Sequence, residues 1–484
     1  MSAPSETIQP APSSSSALLS VTANKSPHVL IGGAGLAGLF LGILLERAGI
    51  PYEIFERSAE PRPLGAIMCL SPNILPAFEQ LGLLDELLSF SKPSFGGVML
   101  TDELKLIGKT VANANYSDFI GYDHVLFARP ELHDMLFNKI PKDKIHMSKK
   151  IVSLEQDQDG VTVTFDDNTT AHGDILVGAD GAHSAVRHHL YKSLEKESLL
   201  PKSDTKAMSK GYISLVGTTN ALDPVKYPGV LEKDSEAFYM IGDKDTPYTW
   251  VTFTIPGNRI CWNVIIQLGL SSTADEHAAS LDWTNQDNKK MMDEIRHFKT
   301  PYGTMGDLFD ATDIEKVSKV YFEDKLFETW THGRTVLIGD AAHMLLPSSG
   351  AGAVNAMQDA VLLANHLYDI TPTNLKNIKT ALSDYKNERF EAIKGQYPQS
   401  HINAKLIYGH TLWERVLRYV VFNWVPKSLQ LKQLLKGTGY RPQANFLPQA
   451  PKRGTMEVIP QTPSKRIEKD REEAAKNEAV ATSL

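Results

Sequence analysis

Thirty residues near the N-terminus, HVLIGGAGLAGLFLGILLERAGIPYEIFER from His28 to Arg57, admit few folds. Val29, Leu30 and Ile31 are a short apolar run of the kind that forms a buried parallel strand. Gly33, Gly35 and Gly38 follow at G-x-G-x-x-G spacing: the first allows a tight turn, the second lets backbone amides approach a pyrophosphate, the third permits close helix–strand packing. From Leu36 the apolar positions recur as Leu36, Leu39, Phe40, Ile43 and Leu44, one face of a helix laid on a sheet. Gly49 stops that helix and YEIFE makes the next strand. Glu56 closes the unit, where a carboxylate accepts hydrogen bonds from ribose hydroxyls and repels a 2′-phosphate. The loop and first turn, Gly33, Ala34, Gly35, Leu36, Ala37 and Gly38, with Glu56 and Arg57 opposite, therefore predict a site for a dinucleotide with a free adenosine ribose. The free N–H groups and positive end of the helix face its phosphates.

A chain of 484 residues is too long for one compact core, which predicts two packed domains plus tails. A formal net charge of −7 gives no reason to expect nucleic acid as a partner. The two cysteines, Cys69 and Cys261, lack ligand-like spacing, so neither a disulfide framework nor a zinc site is expected. Residues 1–27, rich in Ser, Pro and Ala, read as a disordered leader without the features of a targeting signal. No apolar run reaches the length of a membrane span.

Two later stretches repeat the theme of a strand tip beside a helix. HGDILVGADGAHSAVR runs a strand (Ile175–Val177) into a Gly-Ala-Asp-Gly turn, with Ser184 and Arg187 on a following helix. GRTVLIGDAAHMLLPSSGAGAVNAMQDAVLLANHL ends a strand at Gly339-Asp340, continues through Pro347, Gly350 and Gly352, and starts a helix near Ala353. Asp340 at a strand's carboxyl end can hydrogen-bond a sugar-like hydroxyl, and the second helix N-terminus can face a second patch of negative charge. An elongated ligand with an anionic middle and an electron-accepting far end suits this arrangement.

With these motifs in order, the chain resembles the class A flavoprotein monooxygenases, the para-hydroxybenzoate and salicylate hydroxylase group. GGAGLAGL, GADGAHSAVR and LIGDAAHMLLPSSGAGAVNAMQDA carry the likeness, with PRPLGAIMCLSPNILPAFEQLGLLDEL and FARPELHDML between them, from about His28 to about Tyr368. The resemblance implies tightly bound FAD, with Glu56 on the adenosine ribose, Arg129 on the ribityl or phosphate region and Asp340 on a ribityl or ribose hydroxyl. It also implies that Gly352 and Ala353 present amides to the isoalloxazine, that Gly65 and Ala66 pass close to it, and that Asp180, Gly181 and Arg187 serve both FAD and NAD(P)H. One residue departs from the pattern: Met344 stands where the family usually has Pro after GDAAH, while Pro347 keeps the later proline. The implied fold is α/β, a Rossmann-type FAD domain of parallel sheet interleaved with an antiparallel-sheet substrate domain, plus C-terminal helices. The boundaries read as 28–205 and 318–370 for the FAD domain, with a substrate-side excursion near 90–120. Residues 206–317 form the substrate sheet, 371–440 a helical region, and 441–484 an extended strap and charged tail.

In the substrate sheet, ICWNVII places Ile260, Trp262, Val264 and Ile266 on one face and Cys261, Asn263 and Ile265 on the other. Its strands offer few cations (Arg259 begins one; Lys206, Lys210 and Lys244 sit at loops), which argues for a small lipophilic substrate over an aromatic acid. The spacing of YMIGDKDTPYTWVTF is similar to the fungal indole-diterpene and meroterpenoid epoxidase subgroup, implying a prenyl alkene. Tyr212 and Trp250 are the candidate substrate contacts, or else ordinary core aromatics. The expected reaction uses NAD(P)H and O2, with a flavin C4a-hydroperoxide passing one oxygen to an apolar aromatic or alkene carbon. A phenol would need a proton path, for which Tyr212 is the catalytic candidate. A reductase or dehydrogenase acting without oxygen incorporation, and a redox-neutral flavin-binding protein, are the rivals. TLWERVLRYVVFNWVP predicts a helix with Leu412, Val416, Val420 and Trp424 on one stripe and Glu414, Arg415 and Arg418 opposite. That helix either packs on the body or touches a membrane surface, so the expected location is cytoplasmic or peripheral to an intracellular membrane. His343 reads as a turn residue, and His401 and His410 suggest no metal pair.

Overall fold

A computed structural model describes residues 26–61, 67–110, 116–243, 246–270 and 284–483. The chain opens with β1 (Val29–Gly32), α1 (Leu36–Ala48) and β2 (Tyr52–Phe55), then β3 (Ile67–Leu70), β4 (Lys92–Thr101), β5 (Leu106–Lys109) and β6 (His124–Ala128). Helix α2 (Arg129–Phe137) leads to β7 (Ile145–His146), β8 (Ile151–Gln156), β9 (Val161–Phe165), β10 (Thr170–Gly173), β11 (Ile175–Gly178) and α3 (Ala185–Lys196). Four long strands follow: β12 (Ser209–Thr218), β13 (Ser235–Ile241), β14 (Tyr248–Ile255) and β15 (Arg259–Gln267). After α4 (Asn285–Ile295) and α5 (Met305–Asp310) come β16 (Ser318–Leu326), β17 (Thr331–His332), β18 (Thr335–Leu337) and β19 (His343–Met344). The remainder is helical: α6 (Gly352–Tyr368), α7 (Leu375–Tyr408), α8 (Leu412–Trp424), α9 (Lys427–Thr438) and α10 (Lys465–Ser483).

Two large sheets organise most of these strands, and β8, β9 and β10 form a separate antiparallel sheet of three. The first, in the order β17-β18-β11-β1-β2-β7, is parallel from β18 to β7, with β17 antiparallel at the edge. All four residues of β1 are buried, as a central parallel strand with both faces covered requires. Helix α1 ends as predicted: Gly49 adopts φ +67° and its N–H reaches the Glu46 and Leu45 carbonyls, a left-handed cap. Its residues Leu36 to Leu45 are buried on every side, because α6 packs along it. This is more complete burial than a one-faced pattern predicts.

The second sheet runs β19-β16-β12-β15-β14-β13-β4-β6-β3, with β5 on β4. Two sequence expectations are corrected here. Strand β16, assigned to the nucleotide domain by its position after 318, lies in this sheet beside β12. Strands β3 and β6, from the first segment, close its far edge. Within 206–317 the strands pair antiparallel as expected, and β4, from the substrate-side excursion near 90–120, joins β13 in parallel. One face, with Trp250, Trp262, Val264, Ile266, Met240 and Leu215, is covered by α4 and α5. The other face, with Tyr212, Val251, Ile265 and Phe322, meets Leu346 and the end of α7 at Ala404 and Tyr408.

The segment from the end of α9 onward is tied to the body by hydrogen bonds and an ion pair. Asn73 donates to the Gly437 and Tyr440 carbonyls, Gln80 to those of Ala444 and Pro448, and Arg453 pairs with Glu79. The charged tail forms α10, whose first amides at Lys465 and Arg466 donate to Asp369.

Candidate functional site

Three strand tips, after β1, β11 and β18, converge on one cleft, at the carboxyl ends where the order of the parallel sheet reverses. The glycines of the first tip have separable roles. Gly33 has φ +106°, and a Cβ there would lie 2.6 Å from the Ala179 carbonyl oxygen. At Gly38 a Cβ would strike the Gly33 carbonyl oxygen at 2.1 Å. At Gly35 the nearest atom would be 3.9 Å away, so the space beside it is open to a ligand. No side chain caps α1 at Gly35, which leaves the amides of its first turn facing that space. Glu56 is held at the rim: Ala34 N–H donates to its Oε2 and Ser58 N–H to its Oε1, both at 2.9 Å. Arg57 beside it is exposed. His133 on α2, which the sequence did not single out, donates from Nε2 to the Ala34 carbonyl at 2.9 Å and braces the loop.

The second tip is structural. Asp180 accepts from the Ser184 hydroxyl and from the Ala185 and Val186 amides, so its carboxylate caps α3 rather than projecting into the cleft. Gly181 has φ +80° with open space where a Cβ would stand. Arg187 donates to the Ala341 carbonyl at 2.9 Å and to Ala182 at 2.5 Å, and lies over the Phe327 ring at 4.1 Å. Its hydrogen bonds go to backbone carbonyls and tie the third tip to the second.

At the third tip, Gly339 has φ +59° and its Cβ position faces Ala356 and Ala37, so β18, α1 and α6 meet there. Asp340 is open to the cleft yet crowded by protein. Desolvation raises its pKa, against the opposing charges of His343 and Arg129. Arg129, half-buried at the start of α2, is near enough to feel Asp340's charge; burial lowers its pKa. An accessible carboxylate and guanidinium deep in the protein mass mark the walls of a concave site. Beneath them is a buried ion network. Asp359 on α6 accepts from His343 Nε2 at 2.6 Å, from Arg389 Nε at 2.6 Å and from the Gly339 amide at 2.8 Å. Arg389 also donates to Asn355 Oδ1 at 2.6 Å. Burial pushes the Asp359 carboxyl up, but His343, Arg389 and its hydrogen bonds outweigh this and hold it below the usual range. His343 is therefore a buried hydrogen-bond partner of Asp359, not a simple turn residue.

Beyond Asp340, Met344 pairs with Lys325 of β16, so the departure from Pro is absorbed by a two-residue strand. Pro347 opens a turn of 3-10 helix that ends at Gly350, φ +62°. A Cβ on Gly350 would stand 3.8 Å from that of Cys69 on β3. At Gly352 nothing lies within 4 Å, and α6 starts there without a side-chain cap, so the amides of Gly352 and Ala353 are presented to open space. Gly65 and Ala66 lie outside the described residues.

Tyr212 faces this loop, in van der Waals company with Leu346, Val251, Ile265, Phe322 and Tyr408. Trp250 does not. Its indole N–H donates to the Lys299 carbonyl at 2.8 Å and its ring stacks near Phe298 at 4.4 Å, on the far face of the sheet. The expectation of a substrate contact there is corrected: β14 pairs Val251, not Trp250, with inward-facing Tyr239. Tyr239 and Tyr408 are the residues sequence reasoning missed. Tyr212 and Tyr408 rings lie 5.7 Å apart, and Tyr239 and Phe253 6.1 Å apart.

The donor set fits FAD. A ribose acceptor (Glu56), an open cradle at the α1 N-terminus, a polar mid-section (Arg129, Asp340) and a second open cradle at the α6 N-terminus succeed one another along the cleft. Two helix ends and one acid in line match a pyrophosphate, a ribityl chain and a ring edge that gains negative charge on reduction.

A family model described as an FAD binding domain matches residues 27–212 and 264–395. Among curated proteins, the FAD-dependent monooxygenase paxM of Penicillium paxilli is 28% identical over 450 residues, covering 88% of this chain and 88% of that protein. The FAD-dependent monooxygenase esdpE of Penicillium shearii is 27% identical, covering 84% and 85%. Among solved structures, Klebsiella pneumoniae HpxO complexed with FAD and uric acid aligns with a TM-score of 0.69 at 20% identity, covering 86% of this chain and 97% of that one. The 2,6-dihydroxypyridine-3-hydroxylase of Arthrobacter nicotinovorans aligns at 0.65 and 18% identity, covering 90% and 100%. A cleft built for FAD and a family match over most of the chain lead to one identification: the chain belongs to the FAD-binding-domain family and is an FAD-dependent monooxygenase of the class A flavoprotein fold.

Proposed function

We propose that the enzyme uses NAD(P)H and O2 to insert one oxygen atom into an apolar substrate, an aromatic ring or the alkene of a prenyl chain. The observation that carries this reading is the inner face of the mixed sheet. Tyr212, Tyr239, Val251, Phe253, Ile265, Phe322, Leu346 and Tyr408 gather beside the Pro347–Gly350 turn. The cations nearest the rim are engaged elsewhere, Arg259 with Glu131 and Lys210 with Glu323. A surface of this kind gains free energy from apolar area, and its hydrogen-bonding groups are neutral phenols rather than cations.

When bound, the flavin supplies the electron transfer and oxygen activation. The chain's own residues do the rest. The α6 N-terminus directs the Gly352 and Ala353 amides at the place where the reduced ring's charge would lie. Arg187 and Asp359 fix the backbone that carries Asp340. The aromatic wall excludes water and orients the substrate. Burial pushes the Tyr212 and Tyr239 phenols up to about 12, so each keeps its proton at neutral pH and acts as a hydrogen-bond donor, not a base. That suits an alkene, whose oxygenation requires no proton to be taken from the substrate.

The test is substrate-stimulated NAD(P)H consumption across phenols, prenylated aromatics and benzoates, followed by reaction under isotopically labelled O2. Label in a prenylated or neutral aromatic product is the expected result. Turnover without label would identify a reductase or dehydrogenase, and a flavin that no donor reduces would identify a redox-neutral binder. Preference for benzoates would overturn the apolar-substrate reading.

A further inference from the structure

Helix α8 is folded inside out relative to its composition. Its Glu414 and Arg418 turn toward the protein, while Asn423 is exposed. Arg418 is buried and donates to the Leu406 and Gly409 carbonyls at 2.7 and 2.5 Å. Glu414 closes a capping box with Thr411. On the same side Phe422 packs on Gly108 of β5. At about 100° per residue, the opposite side collects Leu412, Val416, Val420, Trp413, Trp424 and Leu417. All six are exposed, Leu412 at 73%, Trp413 at 79% and Trp424 at 74%. Tyr419 on the flank, Leu429 on α9 and Leu106 on β5 extend the exposed apolar surface. Single exposed apolar side chains are ordinary, but a continuous patch of this kind marks a binding surface.

Charge and geometry select the occupant. Between Ala392 and Met456 the chain carries ten Lys or Arg and a single acid, Glu414. Arg418 and Arg441 are buried and Lys394 and Arg453 pair with Glu391 and Glu79, which leaves six cations in the segment outside these contacts. Glu414 is engaged in the helix cap, while Lys427 and Lys432 are exposed beside the patch. Aromatic side chains at both ends of an apolar stripe, bordered by lysines, match the boundary between lipid headgroups and acyl chains. Thirteen residues of helix span roughly 20 Å, too short to cross a bilayer and suited to lying in its surface. No described helix is long and apolar enough to cross. We propose that the α8 face, with the adjoining end of α9, docks on an anionic phospholipid membrane. Helix α8 begins four residues after Tyr408, so the docked face adjoins the wall that lines the substrate side.

The test uses the full-length holoenzyme in flotation with vesicles of phosphatidylcholine alone or with about 30% phosphatidylserine. Trp413→Ser/Trp424→Ser and Lys427→Glu/Lys432→Glu are the variants, their folding checked by bound-flavin absorbance and thermal melting. The wild type is expected to float with the anionic vesicles and to lose its tryptophan emission to brominated lipid. Each double variant is expected to bind at least tenfold less. Wild-type protein that stays behind with both vesicle types, or is not quenched by brominated lipid, overturns the proposal whatever the variants do. So does undiminished binding of the tryptophan variant. A wild-type dimer that the tryptophan variant converts to monomer, without vesicle binding, would assign the face to a second copy and equally overturn it.

Discussion

The two ends of the cofactor cleft are built by different physics. At the adenosine end, position is set by close approach of backbone: Gly33 against Ala179, Gly38 against Gly33, with no room for a methyl group. At the flavin end it is set by buried charge: Asp359 gathers His343, Arg389 and the Gly339 amide at 2.6 to 2.8 Å. The first end is damaged by adding atoms, the second by removing charge. The flavin end must present amides to a group whose charge changes on reduction, and an ion network holds that loop without blocking it.

Asp359→Ala is expected to have the largest effect, about 3–5 kcal/mol of stability, because it leaves the wholly buried Arg389 unpaired. Thermal melting checks it. Asp359→Asn adds the pH signature. The folded carboxyl lies below its ordinary value, so its contribution is complete above the unfolded pKa, about 4, and is lost as pH falls through the folded value. The gap in melting temperature between wild type and Asp359→Asn should therefore close on acidification below about pH 4; a gap constant with pH would remove the charge argument.

Gly38→Ala comes next, at about 1–3 kcal/mol from overpacking, with protein purified largely without flavin. Gly352→Ala sharpens the contrast. Its Cβ meets no protein atom within 4 Å, so the melting temperature of the flavin-free protein should hold while flavin affinity falls about tenfold, roughly 1.4 kcal/mol. Equal loss of stability in both glycine variants would erase the distinction between mould and cradle. The smallest effects separate the faces of the mixed sheet. Trp250→Phe should cost about 1 kcal/mol through its lost hydrogen bond and leave substrate preference unchanged. Tyr408→Phe should alter KM or product distribution by less than tenfold and leave melting unchanged.

The adenosine end was legible in the sequence because each of its requirements is local: three glycines, a strand, a helix stop and an acid within thirty residues. The ring-end loop was legible as a pattern, but the network beneath it was not. His343, Asp359 and Arg389 stand 16 and 30 residues apart on different elements, and no periodicity joins them. For Trp250 the core-aromatic alternative is the one that holds, and register decides it. A strand shows alternate faces, and pairing of Val251 with Tyr239 sends Trp250 outward. Tyr408 ends a helix of 34 residues, and only the tertiary path of that helix brings it to the sheet. In α8 the pattern gave the helix and its two faces but not which one turns inward, since Arg418's partners are main-chain carbonyls that no pattern displays.

The order in which the cleft's parts are synthesised has a consequence for biogenesis. Strand β1 emerges from the ribosome with its neighbour β2, but β11 follows some 145 residues later and β18 about 305 residues later. Helix α6, which covers α1, ends at Tyr368. A nascent chain arrested before that point has an N-terminal glycine loop with neither its lid of helix nor its third strand tip. The cleft is complete only once the chain through Tyr368 has emerged, so fragments terminated before that point are expected to leave the ribosome colourless.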